Sequence, residues 1–129
     1  THMMGRIRIR SFTDKIDKRK QSVGISPNLI HSCDATAMWL AVLNANKEGV
    51  TSFSMVHDSY GTHAADVDVM LDCTKRGFIE LYSTADPIGD LENQLQEFIP
   101  DKNKHKIPKL PDRGDLDLYN LMNADYFFC

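Results

Sequence analysis

At 129 residues the chain holds one domain's worth of sequence and is too short for two. Its 42% hydrophobic and 26% charged residues match an ordinary globular chain and exclude the fibrous and low-complexity classes. A net charge of -3 conceals an asymmetry: residues 1–20 carry a net +5 and the remainder a net -8. A basic arm on an acidic body suits a polyanion partner near the N-terminus, although charge alone favours a solvated tail. Cys33, Cys73 and Cys129 are an odd count with no short spacing. That fits neither a disulfide framework nor a four-ligand zinc site, and points to a reducing compartment. No run approaches the roughly 20 apolar residues of a membrane span, and no secretory signal pattern stands at the start.

In chain order, Thr1-His2-Met3 reads as a cloning remnant. Arg6-Ile7-Arg8-Ile9-Arg10 alternates strictly, as a strand with one apolar and one cationic face does. Thr13 to Gln21 is polar and reads as a loop or a short irregular helix, and Gly24 and Pro27 then punctuate the chain before a long apolar-rich run. A helix is expected from about residue 31 to Lys47, capped by Asn28 or Asp34 and closed by Gly49 in a left-handed conformation. Met38, Trp39, Leu40, Ala41, Val42 and Ala45 make it apolar on more than one side, as in a helix that is buried or expects a larger partner.

Val50 to Val56 reads as a strand, followed by turn formers from His57 to Thr62, with Gly61 free to take positive φ. The expected unit is a hairpin whose tip or second strand carries His57 and Asp58. Helical spacing resumes from Ala64 to Tyr82, and Asp86-Pro87 opens another helix ended by Pro100. A lysine-rich loop over 101–115 and a last short helix from Leu116 to Met122 precede Tyr126-Phe127-Phe128. The fold class is α/β (α+β): one antiparallel hairpin packed on several helices.

Taken singly, the polar residues have ordinary readings. An aspartate at a turn is usually an Asx-turn residue, and His31 beside an apolar helix is usually a core or capping histidine. His57 can serve simply to fix its turn. Lys102, Lys104, Lys106 and Lys109 suit a solvated loop, and Cys33 and Cys73 suit buried thiols.

The combination changes the reading. The segments Gly24-Ile25-Ser26-Pro27-Asn28-Leu29-Ile30-His31-Ser32-Cys33-Asp34 and Ser52-Phe53-Ser54-Met55-Val56-His57-Asp58-Ser59-Tyr60-Gly61-Thr62 resemble the C-terminal part of single-subunit RNA polymerases. These are the T7-like phage enzymes and their mitochondrial relatives. The likeness extends to Lys109-Leu110-Pro111, Gly114-Asp115-Leu116-Asp117-Leu118 and Asp125-Tyr126-Phe127-Phe128, and more weakly to Gly5–Arg10. It implies residues 4–23 as the end of a promoter-recognition loop with its linker. Residues 24–129 become a C-terminal palm fragment with an aromatic foot.

The resemblance implies Asp58 as a palm aspartate that binds catalytic Mg2+, and His57 as its neighbour in the palm motif. His31 falls near the nascent pair and the sugar 2′-hydroxyl, Phe127 and Phe128 in the aromatic foot, and Arg8 and Arg10 at promoter-reading positions. Arg10 and the final Cys129 depart from the T7 enzyme. The implied partners are template and promoter DNA, nascent RNA, nucleoside triphosphates and the rest of a polymerase chain. The implied location is the cytoplasm of a phage-bearing bacterium. No carboxylate here matches the family's second metal aspartate, so the expectation is half a site, inactive alone, with an uncovered hairpin face prone to self-association. The alternative is a stand-alone nucleic-acid-binding or interaction module that keeps the fold without catalysis.

Overall fold

Asp17 starts the first helix. Its side chain accepts hydrogen bonds from the backbone N–H groups of Arg19 and Lys20, both at 3.1 Å, satisfying donors that have no partner within the helix. The computed structural model describes residues 14–127. The expected strand at 6–10, the promoter-reading positions Arg8 and Arg10, and Phe128 lie outside them. From that cap α1 runs Lys18–Lys47, through Gly24 and Pro27. The expected start near residue 31 is therefore corrected, and of the two readings given for 13–21, loop or short helix, residues 18–21 are helical. Pro27 gives up the hydrogen bond to the carbonyl four residues back. However, the first half of α1 is solvent-facing, with Val23 and Ile25 more than half exposed, so no packing partner forces a break there.

The other end of α1 follows the sequence closely. Gly49 has φ 97°, the Gly49 N–H bonds the Asn46 carbonyl (3.1 Å) and the Val50 N–H bonds the Ala45 carbonyl (3.0 Å). This is the paired Schellman arrangement, in which a left-handed glycine turns the chain off the helix. It drops Val50, only 2% exposed, onto the helix it has just left.

The hairpin comprises β1 (Ser54–Val56) and β2 (Ser59–Gly61), antiparallel, pairing Ser54 with Gly61, Met55 with Tyr60 and Val56 with Ser59. The ladder is shorter than the expected strand over 50–56. The Thr62 hydroxyl extends the clasp by donating to the Ser52 carbonyl at 2.8 Å. Alternation along so short a ladder turns Met55 and Tyr60 inward and leaves Ser54, Val56 and Ser59 exposed. One hairpin face is thus uncovered.

A single 3-10 turn (Ala64–Asp66) leads into α2 (Val67–Thr84). The helix α3 (Pro87–Phe98) opens as expected, with proline in its first turn and the Asp86 carboxylate accepting from the Gly89 N–H at 3.2 Å. Within the expected loop a short α4 (Asp101–Lys104) forms, and the last helix is a 3-10 helix over Leu118–Asn123.

The core lies where α1 crosses α2 under the hairpin: Ala41, Ala45, Val50, Met70 and Cys73, with Phe53, Met55, Tyr60 and Val69 packed against them. The crossing is close because the facing residues are small. A Cβ added at Gly77 would stand 2.8 Å from the Ala41 nitrogen. The buried-helix expectation holds for one side of α1 only, since Trp39 and Leu43 are 60% and 53% exposed.

Candidate active site

The hairpin loop is the shortest possible, two residues, His57 and Asp58, between Val56 and Ser59. Loops of that length need positive φ to match strand twist, usually supplied by glycine or asparagine. Here His57 takes it, at φ 54°, while Gly61, expected in that role, lies within β2. Histidine tolerates the left-handed region better than most non-glycine residues. Both tip side chains are exposed. The tight turn places Asp58 as an exposed carboxylate at the hairpin tip.

Beneath the tip a groove of about 720 Å³ separates the hairpin from α1, bounded by His31, Asp34, Met38, Met55, His57, Asp58, Tyr60 and Phe78. Half-buried Met38, Met55 and Phe78 supply the apolar wall, while His31, Asp34, His57 and Asp58 are exposed polar groups around it. The α1 contribution is a helical stripe, since His31, Asp34, Ala35 and Met38 fall at spacings of three, one and three and share one face. The structure thus brings together His31, His57 and Asp58, which the sequence singled out separately. It adds Asp34 and Tyr60, which the sequence presents only as a possible cap and a turn neighbour. The stripe spacing was the available signal for Asp34.

Electrostatics tie Tyr60 to both carboxylates. Burial first, then the negative charges of Asp34 and of Asp58, raise its phenol above the ordinary tyrosine value. The same physics acts on Tyr82, where burial leads and Cys33 and Asp34 add to it. Two carboxylates, Asp34 and Asp58, thus act on a partly buried phenol at the edge of the groove.

Phe127 is placed differently. Its ring meets Phe78 edge-on at 5.1 Å, and Phe78 in turn packs on Tyr82 at 4.6 Å. The C-terminal aromatic segment therefore abuts the residue that walls the groove without itself lining it. Lys102, in α4, and Lys109, in the loop after it, are exposed, while Lys104 is half-buried and pairs with Asp101 at 2.8 Å.

The sequence profile of the family described as DNA-dependent RNA polymerase matches residues 2–106. The chain belongs to that family. It is 43% identical over 116 residues to the mitochondrial DNA-directed RNA polymerase 1 of Arabidopsis thaliana, covering 90% of this chain and 11% of that protein. It is 42% identical to DNA-directed RNA polymerase 1A of Nicotiana tabacum, covering 90% of this chain and 72% of that one. Against the T7 RNA polymerase of Escherichia phage T7 the identity is 32% over 115 residues, with 88% and 13% covered. The polymerase-family chain thus spans about a tenth of the length of the Arabidopsis and T7 relatives. The α+β architecture and the family agree with the sequence reading. No helix among the described residues of this polymerase-family chain is long and apolar enough to cross a membrane.

Proposed function

We propose that the groove is part of the catalytic centre of a DNA-directed RNA polymerase, with Asp58 as one of its metal-binding carboxylates. The observation that carries this is the position of Asp58: the tip of a two-residue hairpin loop, on a groove that it lines together with His31, in a chain of the polymerase family.

The donor set suits Mg2+ in a limited way. Magnesium takes hard oxygen ligands, retains several waters, and commonly uses only one or two protein carboxylates. Asp58 would hold it, with Asp34 the other carboxylate bordering the same groove. Among the described residues no group of three or more His, Cys, Asp or Glu side chains is gathered closely enough to hold a metal ion by itself. Bound magnesium would supply charge stabilisation to the transferring phosphoryl group and its attacking and leaving oxygens.

Each residue of the chain then has a physical role. Asp58 supplies negative charge that would hold a cation. His57, held left-handed, sets the direction in which Asp58 leaves the turn. His31 lines the same groove from α1, where it would meet a sugar or base edge, and Phe127 braces Phe78 of the groove wall. Arg8 and Arg10 read promoter base edges, since arginine donates two hydrogen bonds to guanine in the major groove. A chain with one hairpin carboxylate does not add nucleotides alone. It works with template DNA, nascent RNA and nucleoside triphosphates as the C-terminal palm portion of a longer polymerase.

The test uses Mn2+ as a paramagnetic substitute for Mg2+. Millimolar Mn2+ should broaden the ring resonances of His57 and His31 and the methyl of Met55, and Asp58→Asn should remove the effect. Equal broadening in both chains would refute the assignment.

A further inference from the structure

Lys75 is a buried ammonium, only 5% exposed, in the middle of α2. A charged group is kept from water only where its donors are satisfied. Its Nζ donates to the Ala124 carbonyl at 2.7 Å and to the Met122 carbonyl at 3.4 Å. Both acceptors belong to the end of the 3-10 helix Leu118–Asn123 and the residue immediately after it. Terminal helical carbonyls carry partial negative charge and lack partners within the helix, so they are natural acceptors for a cation. The interaction joins positions 47 and 49 residues apart in sequence.

What this attachment holds is informative. Residues 105–117 contain no helix or strand, and most of them are exposed. One turn beyond Lys75 on α2 stands Phe78, which meets Phe127 edge-on and also lines the groove shared by His31 and Asp58. Lys75 and Phe78 therefore grip two successive points of one segment, a polar point at 122–124 and an aromatic one at 127.

We propose that Lys75 is a positioning residue: it latches the C-terminal segment to α2 and, through Phe127 on Phe78, fixes the groove wall. Its effect on nucleotide addition rests on the polymerase reading, whereas the latch itself does not. Lysine is suited to the task because its long stem lies in the core while three donors at its end serve two carbonyls.

The experiment uses the whole chain with Lys75→Met, which keeps an unbranched apolar stem and removes the donors, and Lys75→Arg, which restores them. The Met variant should lose the nuclear Overhauser contact between the Phe78 and Phe127 rings and speed amide exchange at Asn120 and Ala124 at least tenfold. The groove methyls of Met38 and Met55 should shift as Phe78 moves. The Arg variant should keep all three signatures. Detachment of the tail alone would leave Met38 and Met55 unmoved, and that result would overturn the positioning role. An intact Phe78–Phe127 contact in Lys75→Met would overturn the latch. Should Lys75→Met not fold, acetylation of the unmodified chain decides the latch: Lys75 should react at least tenfold more slowly than exposed Lys109, and equal rates would overturn it. The Lys75→Arg chain then decides the positioning role, with unchanged Met38 and Met55 methyls expected and shifted ones contradicting it. None of these readouts involves nucleotide addition, so each stands or falls apart from the polymerase reading.

Discussion

Glycine-to-alanine exchanges at two helical positions should change stability in opposite directions, and the structure gives the reason. At Gly24, in the exposed half of α1, an added Cβ meets only the Asn28 side-chain nitrogen, at 3.8 Å. There Gly24→Ala gains helix propensity and loses unfolded-state entropy, a stabilisation of up to about 1 kcal/mol. At Gly77 the same methyl would lie 2.8 Å from the Ala41 nitrogen, 3.2 Å from the Leu40 carbonyl carbon and 3.3 Å from the Ala41 Cα. All three are backbone atoms, so relief requires α1 and α2 to separate rather than a side chain to turn. Overpacking of this kind costs about 1–3 kcal/mol, against a propensity gain of about 1. The net expectation for Gly77→Ala is a loss of up to roughly 2 kcal/mol. Urea titration followed by far-ultraviolet circular dichroism should show a lower midpoint at unchanged slope, and a higher midpoint for Gly24→Ala. Because Phe78 adjoins Gly77 and His31 rides on α1, the same variant should also disturb the groove. A Gly77→Ala chain more stable than the parent, as Gly24→Ala should be, would refute the close-crossing argument.

Asp17→Ala should remove the α1 cap at a cost of about 1 kcal/mol, read as faster amide exchange over 19–24 with the α2 amides unaffected. The raised Tyr60 phenol favours the neutral form in the folded chain. Its stabilising contribution is complete below the unfolded value of about 10 and is lost as pH rises through the native value. Asp34→Asn should bring the Tyr60 titration, followed by absorbance near 295 nm or by NMR, back toward the ordinary value; no change would show that Asp34 does not act on it. The uncovered hairpin face, with Val56 61% exposed, and exposed Trp39 and Phe98 (60% and 81%) should drive self-association. Light scattering should show mass rising with concentration, and a strict monomer throughout would contradict that expectation.

Much of this architecture was legible because local chemistry and tertiary structure agree. Gly49 closes α1 where a left-handed residue was needed, Asp86-Pro87 opens α3, and the turn formers around Asp58 mark the hairpin. The start of α1 departs from expectation for a physical reason. Gly24 and Pro27 are breakers by propensity, yet Asp17 caps the helix seven residues before Gly24 and the exposed half carries no packing constraint. His57 in place of Gly61 as the left-handed residue results from the two-residue loop, whose register the sequence leaves open. Asp34 was legible only as a stripe with His31 and Met38, a pattern that gains meaning once the hairpin lies across it. The Lys75 latch joins residues almost fifty apart through backbone carbonyls, which carry no side-chain signature at all.

The central claim is that Asp58 is a catalytic metal ligand, and extension of an RNA primer on a DNA template tests it most directly. The comparison is between a full-length polymerase carrying this segment and its Asp58→Asn form, which keeps the turn and removes the charge. Metal stabilisation of the transferring group is worth several kcal/mol, so the variant should extend primers roughly a thousandfold more slowly. Promoter-DNA affinity should stay nearly unchanged, because Asp58 makes no groove contact with promoter DNA in this account. Extension by the variant at close to the parent rate would contradict the assignment of Asp58.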